Sequence, residues 1–424
     1  MAFNPRHPFK QNLKTCPIYA NGISKSLLWT VYFLLFTFLV CTGCGYQNHS
    51  GKVICSVARE TTISSSVTNE DLSVSVPEEI ANNCMAIADM YKDMIVNTQT
   101  VKDETIEEIE AILVNAGYPT VVKEGIYPEY LANSEVLYDF WDQVTAKQDG
   151  EIGIVQVREN GGFSYLYFRS VEGSGQCYSV FVDWNADTEP YFSMCEELPV
   201  YDWELTENGT FYYQTYPPDC HYDDYARLLL HPIDQAYYDL MLTYIEPIGY
   251  AQNNMFYCDW SEQDFGELCF NDLFGYLYKL QTGRKLDLNQ FSYNGVPWYY
   301  LIPRDLFEET ITSYFSITKE ALRNHAVYFE SQQEYAYADN YLYFPDDIPD
   351  MIPMVTNRVD NPNGTFTLSV TVSSLERKTD KLFCHEVTIR PLADGGFQYV
   401  SNRISYLTDY GLPPNYPRLP EEIR

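Results

Sequence analysis

No acidic residue precedes Glu60, although the 424-residue chain carries 59 Asp and Glu. Basic residues are scarce, 27 Lys and Arg in all, and four of them (Arg6, Lys10, Lys14 and Lys25) precede Leu27 within that acid-free opening. A formal charge of −32 repels phosphate backbones and anionic membrane surfaces, which excludes nucleic acid as a partner. From Cys55 onward no C-x-x-C spacing occurs, which removes the common zinc site and the thiol-disulfide redox motif. G-x-S-x-G, H-E-x-x-H and a phosphate loop are all missing, and His is represented only six times. No cofactor is therefore implied, and catalysis has few of its usual handles.

What stands in the acid-free opening is an address. The basic segment is followed by the apolar run "LLWTVYFLLFTFLVCTGCGYQ" from Leu27 to Gln47. Positive charge stays on the cytoplasmic side while an apolar run enters the bilayer, so this order reads as a secretory signal. The run ends in Cys41-Thr42-Gly43-Cys44, which resembles the lipobox of bacterial lipoproteins. That resemblance implies cleavage before Cys44 and lipid modification of Cys44. Cys41 departs from the pattern, because leucine is usual there. The rival is an uncleaved helical anchor, since Leu27 to Gly43 is just short of the ~20 residues that span a bilayer. Either way the body is expected outside the cytoplasm. The first reading places it on the outer face of the bacterial cytoplasmic membrane, with the membrane as a partner through the anchor alone.

Removing residues 1–43 takes away four positive charges and shifts the formal charge to −36. Residues 44–76 are rich in Ser, Thr and Asn without periodicity and read as a flexible tether. Past it, Pro77 opens a helix with a stripe of Ile80, Cys84, Ile87, Tyr91 and Met94. A second helix carries Ile106, Ile109, Leu113 and Ala116 up to Gly117, and a third starts at Ser134 as N-cap. The period then turns from helical to alternating. "GEIGIVQVREN", "GGFSYLYFRS", "GQCYSVFVDWN", "EPYFSMCE" and "GTFYYQTY" are short β-prone runs with Asn-Gly and Gly-rich breaks, the pattern of an antiparallel meander. Helices return at Pro232–Tyr244, Asn271–Leu280, Pro303–Tyr314 and Lys319–Asn324. "GTFTLSVTVSS", "LFCHEVTIR" and "GGFQYVSN" close the chain as a second meander. The expected class is α+β, helices alternating with two antiparallel meanders, divided as 77–225 and 226–424. Without strand-helix alternation it does not have the build of a transport-type solute-binding lipoprotein.

"FYCDWSEQDFGELCFNDLF", "ALRNHAVYF" and the closing "NGTFTLSVTV…HEVTIR…GGFQYVSN" make the body similar to uncharacterised lipoproteins of gut Clostridia that carry a domain of unknown function. The resemblance implies an address and a fold and brings no activity or catalytic residue with it.

Five sets of residues invite a chemical reading. Asp183, Asn185, Asp187 and Glu189 place oxygens at alternate positions as calcium loops do, but the expected glycine is missing and Met194 stands where the bidentate Glu belongs. A polar hairpin turn is the simpler account. Asp259, Glu262, Asp264 and Glu267 accompany Trp260 and Phe265, as two carboxylates beside a sugar platform would. Here a loop leading to a helix capped by Asn271 is the simpler account. His385 has the inward parity of Phe383, Val387 and Ile389, as a hydrogen-bonded core histidine would, and His221 beside Cys220 makes only a thin Cys/His pair. Eight cysteines (Cys55, Cys84, Cys177, Cys195, Cys220, Cys258, Cys269 and Cys384) permit disulfides in an exported chain, with Cys177–Cys195 and Cys258–Cys269 as local pairs to test. Lastly, 38 Tyr outnumber 23 Phe and 6 Trp together. A tyrosine ring is flat and apolar with a polar tip, suited to stacking on glycans or peptides and equally to a half-buried strand. Trp298, Tyr299 and Tyr300, with Tyr335, Tyr337 and Tyr341, are the candidate aromatic groove. The functional expectation is a non-catalytic surface module for a cell-wall glycan, peptide or protein, with a carboxylate-dependent glycan hydrolase and a partner scaffold as alternatives.

Overall fold

Ile80, Cys84, Ile87 and Tyr91 fall on one side of a helix, Glu78–Tyr91 (α1), and all four are buried. Glu78 and Glu79 sit in its first turn, where the helix dipole favours negative charge. The computed structural model describes residues 74–96, 100–215, 226–295, 298–339, 350–412 and 414–424. Cys44, Cys55, Cys220, His221, Tyr341, the signal and nearly all of the tether lie outside them. Among the described residues are seven helices and antiparallel sheets, a mixed α+β arrangement.

A second helix, Asp103–Asn115 (α2), leads into two three-residue strands, Thr120–Val122 (β1) and Tyr130–Ala132 (β2), and then into Glu135–Thr145 (α3). Ser134 occupies the N-cap position of α3 but its side chain makes no capping bond. Four longer strands follow: Gly150–Val157 (β3), Phe163–Val171 (β4), Ser174–Trp184 (β5) and Pro190–Val200 (β6). They join β1 and β2 in one sheet ordered β2-β1-β3-β4-β5-β6, in which β1 and β3 run parallel. One face carries Val155, Phe163, Tyr165, Val180 and Trp184 against α1 and α2. The opposite face carries Ile152, Ile154, Phe168 and Cys177 against Leu137 and Phe140 of α3. That side also receives a small sheet of Asp202–Leu205 (β7), Thr210–Gln214 (β8) and Ala226–Leu229 (β9), whose Phe211 is fully buried. This sheet is therefore covered on both faces.

The remaining chain starts its helices with Gln235–Tyr244 (α4), capped by Asp234 through the Tyr237 N–H, and continues through the short strand Trp260–Ser261 (β10). Phe270–Thr282 (α5) ends at Gly283, whose φ of 69° is the left-handed conformation that terminates helices. Ser292–Gly295 (β11) and Trp298–Pro303 (β12) form a hairpin ahead of Arg304–Tyr314 (α6) and Lys319–His325 (α7). Tyr328–Phe329 (β13) and Glu334–Tyr337 (β14) complete a four-stranded sheet ordered β11-β12-β14-β13. Ile352–Asp360 (β15), Phe366–Ser374 (β16), Thr379–Pro391 (β17) and Phe397–Leu407 (β18) form an antiparallel meander edged by β10. On β16 burial alternates residue by residue: Phe366, Leu368, Val370 and Val372 point into a core shared with α5 and α6, while Thr367, Ser369 and Thr371 are half-buried on the other side.

One polar clamp sits under α5. Asp272 and Arg418 are both about 98–99% buried, with Nε 3.8 Å from the carboxylate and the Arg418 backbone N–H donating to it at 3.3 Å. The guanidinium donates further to the carbonyls of Gln252, Ala338 and Asp272. Burial pushes the Asp272 carboxyl up, and Arg418 pulls it back in part.

Candidate functional site

The β11–β12 hairpin decides what becomes of the aromatic residues. Tyr293 pairs with Tyr300 and Gly295 with Trp298. Directly opposed residues share a face, as do alternate residues of one strand, so Tyr293, Trp298 and Tyr300 all point to the same side. The Tyr293 and Tyr300 rings lie 5.0 Å apart, and Trp298 stands opposite a residue with no side chain. Trp298 is 57% and Tyr293 55% exposed, while Tyr300 is half-buried. Tyr299 points the other way, stacking on Phe329 at 5.8 Å. Tyr335 lies on Phe307 at 4.0 Å and donates its hydroxyl to Glu308. Tyr337 packs on Phe274 at 5.5 Å, in space left by Gly275, where a Cβ would overlap its hydroxyl. Tyr299, Tyr335 and Tyr337 are thus packing residues, and the accessible aromatic surface of this hairpin is Trp298 with Tyr300 and, beside them, Tyr293. The hairpin register was the signal for Tyr293: two positions from Gly295, it must share the face of Trp298.

The four carboxylates of the Asp259–Glu267 loop each have separate surroundings. Asp259 accepts the Ile404 N–H at 2.6 Å, fastening the loop to β18. Glu262 receives both ends of the Arg390 guanidinium at 2.5 and 2.8 Å. Asp264 accepts the Gly266 N–H at 3.0 Å, closing its own turn. Glu267 is exposed. Trp260 is buried and donates its indole N–H to the Met255 carbonyl at 2.8 Å. Asp259 and Asp264 do line a polar recess of about 470 Å³ with Glu386 and Arg403, which are themselves paired at 2.6 Å. Asn271 does not cap α5. Cys269 holds the N-cap position, and Asn271 is buried inside the first turn, donating to the Ala336 carbonyl at 2.7 Å and accepting the Val327 N–H at 2.9 Å.

The other polar candidates resolve into structural roles. His385 is fully buried between the Tyr250 hydroxyl at 2.6 Å and Asn402 Oδ1 at 2.7 Å. The Asn402 amide nitrogen is committed to the Cys258 carbonyl, so His385 Nδ1–H donates and Nε2 accepts from Tyr250. Burial lowers its pKa to about 3, which keeps it neutral. Asp183 pairs with Arg158 at 2.5 Å and accepts from Asn160, while Asn185 Oδ1 accepts the N–H groups of Asp187 and Glu189: a polar turn. Among the described residues no group of three His, Cys, Asp or Glu is arranged to hold a metal. The six described cysteines are free thiols. Cys177 and Cys195 belong to opposite faces of the first sheet and do not pair. Burial pushes the Cys84, Cys177 and Cys258 thiols up to about 12, which leaves them without thiolate character.

Glu110 follows the core residue Ile109 on α2 and is only 5% exposed. It sits where two adjoining recesses, of about 550 and 590 Å³, meet and share Glu107, Lys123 and Gly125. Burial raises its carboxyl to about 7; a hydrogen bond from the Lys123 N–H opposes the rise, while Glu129 and Glu107 add to it. Helical spacing sets Glu110 at the edge of the Ile106, Ile109 and Leu113 stripe, and its cover comes from β1 and the turn after it.

Fold and site together define an α+β protein with antiparallel sheets, an aromatic hairpin face and an acid-lined cleft. Residues 75–418 match the family of unknown function DUF6070, and the chain belongs to that family. No curated protein and no solved structure is similar to it. No described helix is long and apolar enough to cross a membrane.

Proposed function

We propose that this protein is a lipid-anchored extracytoplasmic binding module, fastened through Cys44 at the outer face of the bacterial cytoplasmic membrane and lifted from it by residues 44–76. It belongs with the lipoproteins of gut Clostridia that its sequence resembles. Its ligand is a cell-wall glycan, stacked on the hairpin face of Trp298, Tyr293 and Tyr300. The observation that carries the reading is that two large rings on one face of one hairpin are each more than half exposed. Apolar rings left together at a surface are a usual mark of a contact site, and a flat indole matches the apolar face of a sugar. Against the hydrolase alternative, Glu262 is held by Arg390, Asp259 by the β18 backbone and Asp264 by its own turn. A general acid needs a free proton within reach of the scissile bond.

The test is retention of the full-length chain on purified peptidoglycan and on a panel of insoluble polysaccharides. Trp298→Ala should weaken retention by about tenfold and Tyr293→Ala by several-fold, the order of one to two stacking contacts. Product release from any glycan that is lost in Asp264→Asn or Glu262→Gln would replace the binding reading with the hydrolase. No retention on any glycan would leave a peptide or protein partner, or a scaffold role. The anchor is read in parallel with a palmitate analogue, whose label should vanish in Cys44→Ala.

A further inference from the structure

We infer that the cleft between α2 and the turn after β1 is a second binding site, independent of the aromatic face, and that it takes a small organic polycation of the aliphatic diamine type. Glu110 and Glu107 stand where its two recesses join. The first recess offers hydrocarbon, Ala111, Val114 and Val122, with the rings of Tyr127 and Tyr130. The second offers further acids, Asp103, Glu129 and Glu159. That combination suits an alkyl chain carrying ammonium groups: the methylenes against the valines, one ammonium at Glu107 and Glu110, another among the acids beyond.

The feature that points to a ligand is Glu110 itself. A carboxyl this deep ordinarily has a cation beside it, because an unpaired buried charge is costly. Glu110 makes no ion pair among the described residues, and its protein donor is the Lys123 backbone N–H. The two cations of the cleft do not serve it: Arg158 is committed to Asp183, and Lys123 exerts only the weakest of the named influences on Glu110. Glu124 is bound by the Tyr130 hydroxyl and Gln235, and Glu129 by Gln156. An arriving ammonium supplies the missing countercharge.

A pH signature follows. Glu110 faces Glu107 and Asp103 on its own helix, Lys123 and Glu124 after β1, Glu129 before β2, and Glu159 and Arg158 after β3. Its carboxyl is held near 7, so it gains its charge between about pH 6 and pH 8, and a cation binds the charged form. Affinity therefore rises with pH over that window, by up to about tenfold, and binding at about pH 6.5 releases protons.

The experiment is calorimetric titration of the full-length chain in detergent with 1,4-diaminobutane, with 1,4-butanediol, 1-butylamine and calcium chloride as comparisons. Diamine should bind, the diol should not, and butylamine should bind more weakly. Glu110→Gln keeps an acceptor for the Lys123 N–H; it should weaken diamine binding about tenfold at pH 8 and abolish its rise with pH. Glu107→Gln, at the more exposed position, should weaken binding and leave the pH dependence in place, so the site remains testable if Glu110→Gln folds poorly. Trp298→Ala should bind diamine normally, which separates this site from the glycan face. The proposal is overturned by absence of diamine binding up to about 10 mM, an affinity far weaker than small-ligand sites show. It is also overturned by equal binding of the diol, by heat from calcium in place of diamine, or by unchanged affinity in both Glu variants. The last result would mark simple attraction to the net negative charge.

Discussion

The two large sheets solve the same problem in opposite ways. The six-stranded sheet is buried on both faces, by α1 and α2 on one and by α3 with the β7–β9 sheet on the other. The five-stranded sheet is buried on one face only, and its other face shows Thr367, Glu386, Thr388 and Arg403 to solvent. On β4 adjacent residues Tyr167 and Phe168 are both within 5% of full burial, whereas on β16 Val370 is fully buried and its neighbour Thr371 is not. A sheet covered twice gives up its polar face. The two clefts follow from this: the N-terminal one opens between elements at the edge of the doubly covered sheet, and the C-terminal recess is simply the uncovered face.

The sharpest test substitutes neighbours. Phe168→Ala and Tyr167→Ala should each cost about 3–5 kcal/mol in urea unfolding, since each leaves a large cavity in a different core. Val370→Ala should cost about 1–3 kcal/mol and Thr371→Ala within about 0.5 kcal/mol. A neutral Tyr167→Ala would break the comparison.

Next in size is an opposition in pH dependence. His385 has its pKa lowered to about 3 from an ordinary 6.5, so its contribution is complete above about pH 6.5 and is lost as pH falls toward 3. Glu110 has its pKa raised to about 7 from an ordinary 4.5, so the stability of its protonated form is complete below about pH 4.5 and is lost as pH rises through 7. Glu110→Gln should therefore stabilise the protein by about 1–3 kcal/mol at pH 8 and by little at pH 4.5. Unfolding curves across that range read it directly; equal gains at both pH values would contradict the buried acid.

The smallest effect concerns the contact between the two regions. Lys378, at the β16–β17 turn, reaches Asp202 at 2.5 Å and Glu204 at 3.7 Å on β7. Partly exposed ion pairs are weak, so Lys378→Ala should cost about 0.2–1 kcal/mol, and the loss should shrink further in about 0.5 M salt.

The difference between the sheets also governs what could be read from sequence. "TFTLSVTVSS" announces its strand because one side of β16 is wet, and the α1 stripe is legible for the same reason. The Tyr-rich strands β12 and β14 were harder. A tyrosine serves a core or a surface equally: Tyr300 and Tyr337 are paired and share one face, yet Phe274 covers Tyr337 and Phe307 covers Tyr335, while Tyr300 stays half-buried. β1 is three residues long, too short to show a period, and without it the burial of Glu110 is invisible. Asn271 looked like a cap because asparagine favours that position. Its partners, Val327 and Ala336, lie 56 and 65 residues away and leave no local trace.

The Asp272–Arg418 clamp bears on the order in which this chain is made. The two residues are 146 positions apart, so as the polypeptide emerges α5 exists long before its guanidinium does. Until Arg418 arrives, closing the C-terminal core would seal an unpaired carboxylate inside it, at a cost of about 3–5 kcal/mol. The core therefore closes without that cost only once Arg418 is in place. The arrival of Arg418 is then the event that allows this region to set.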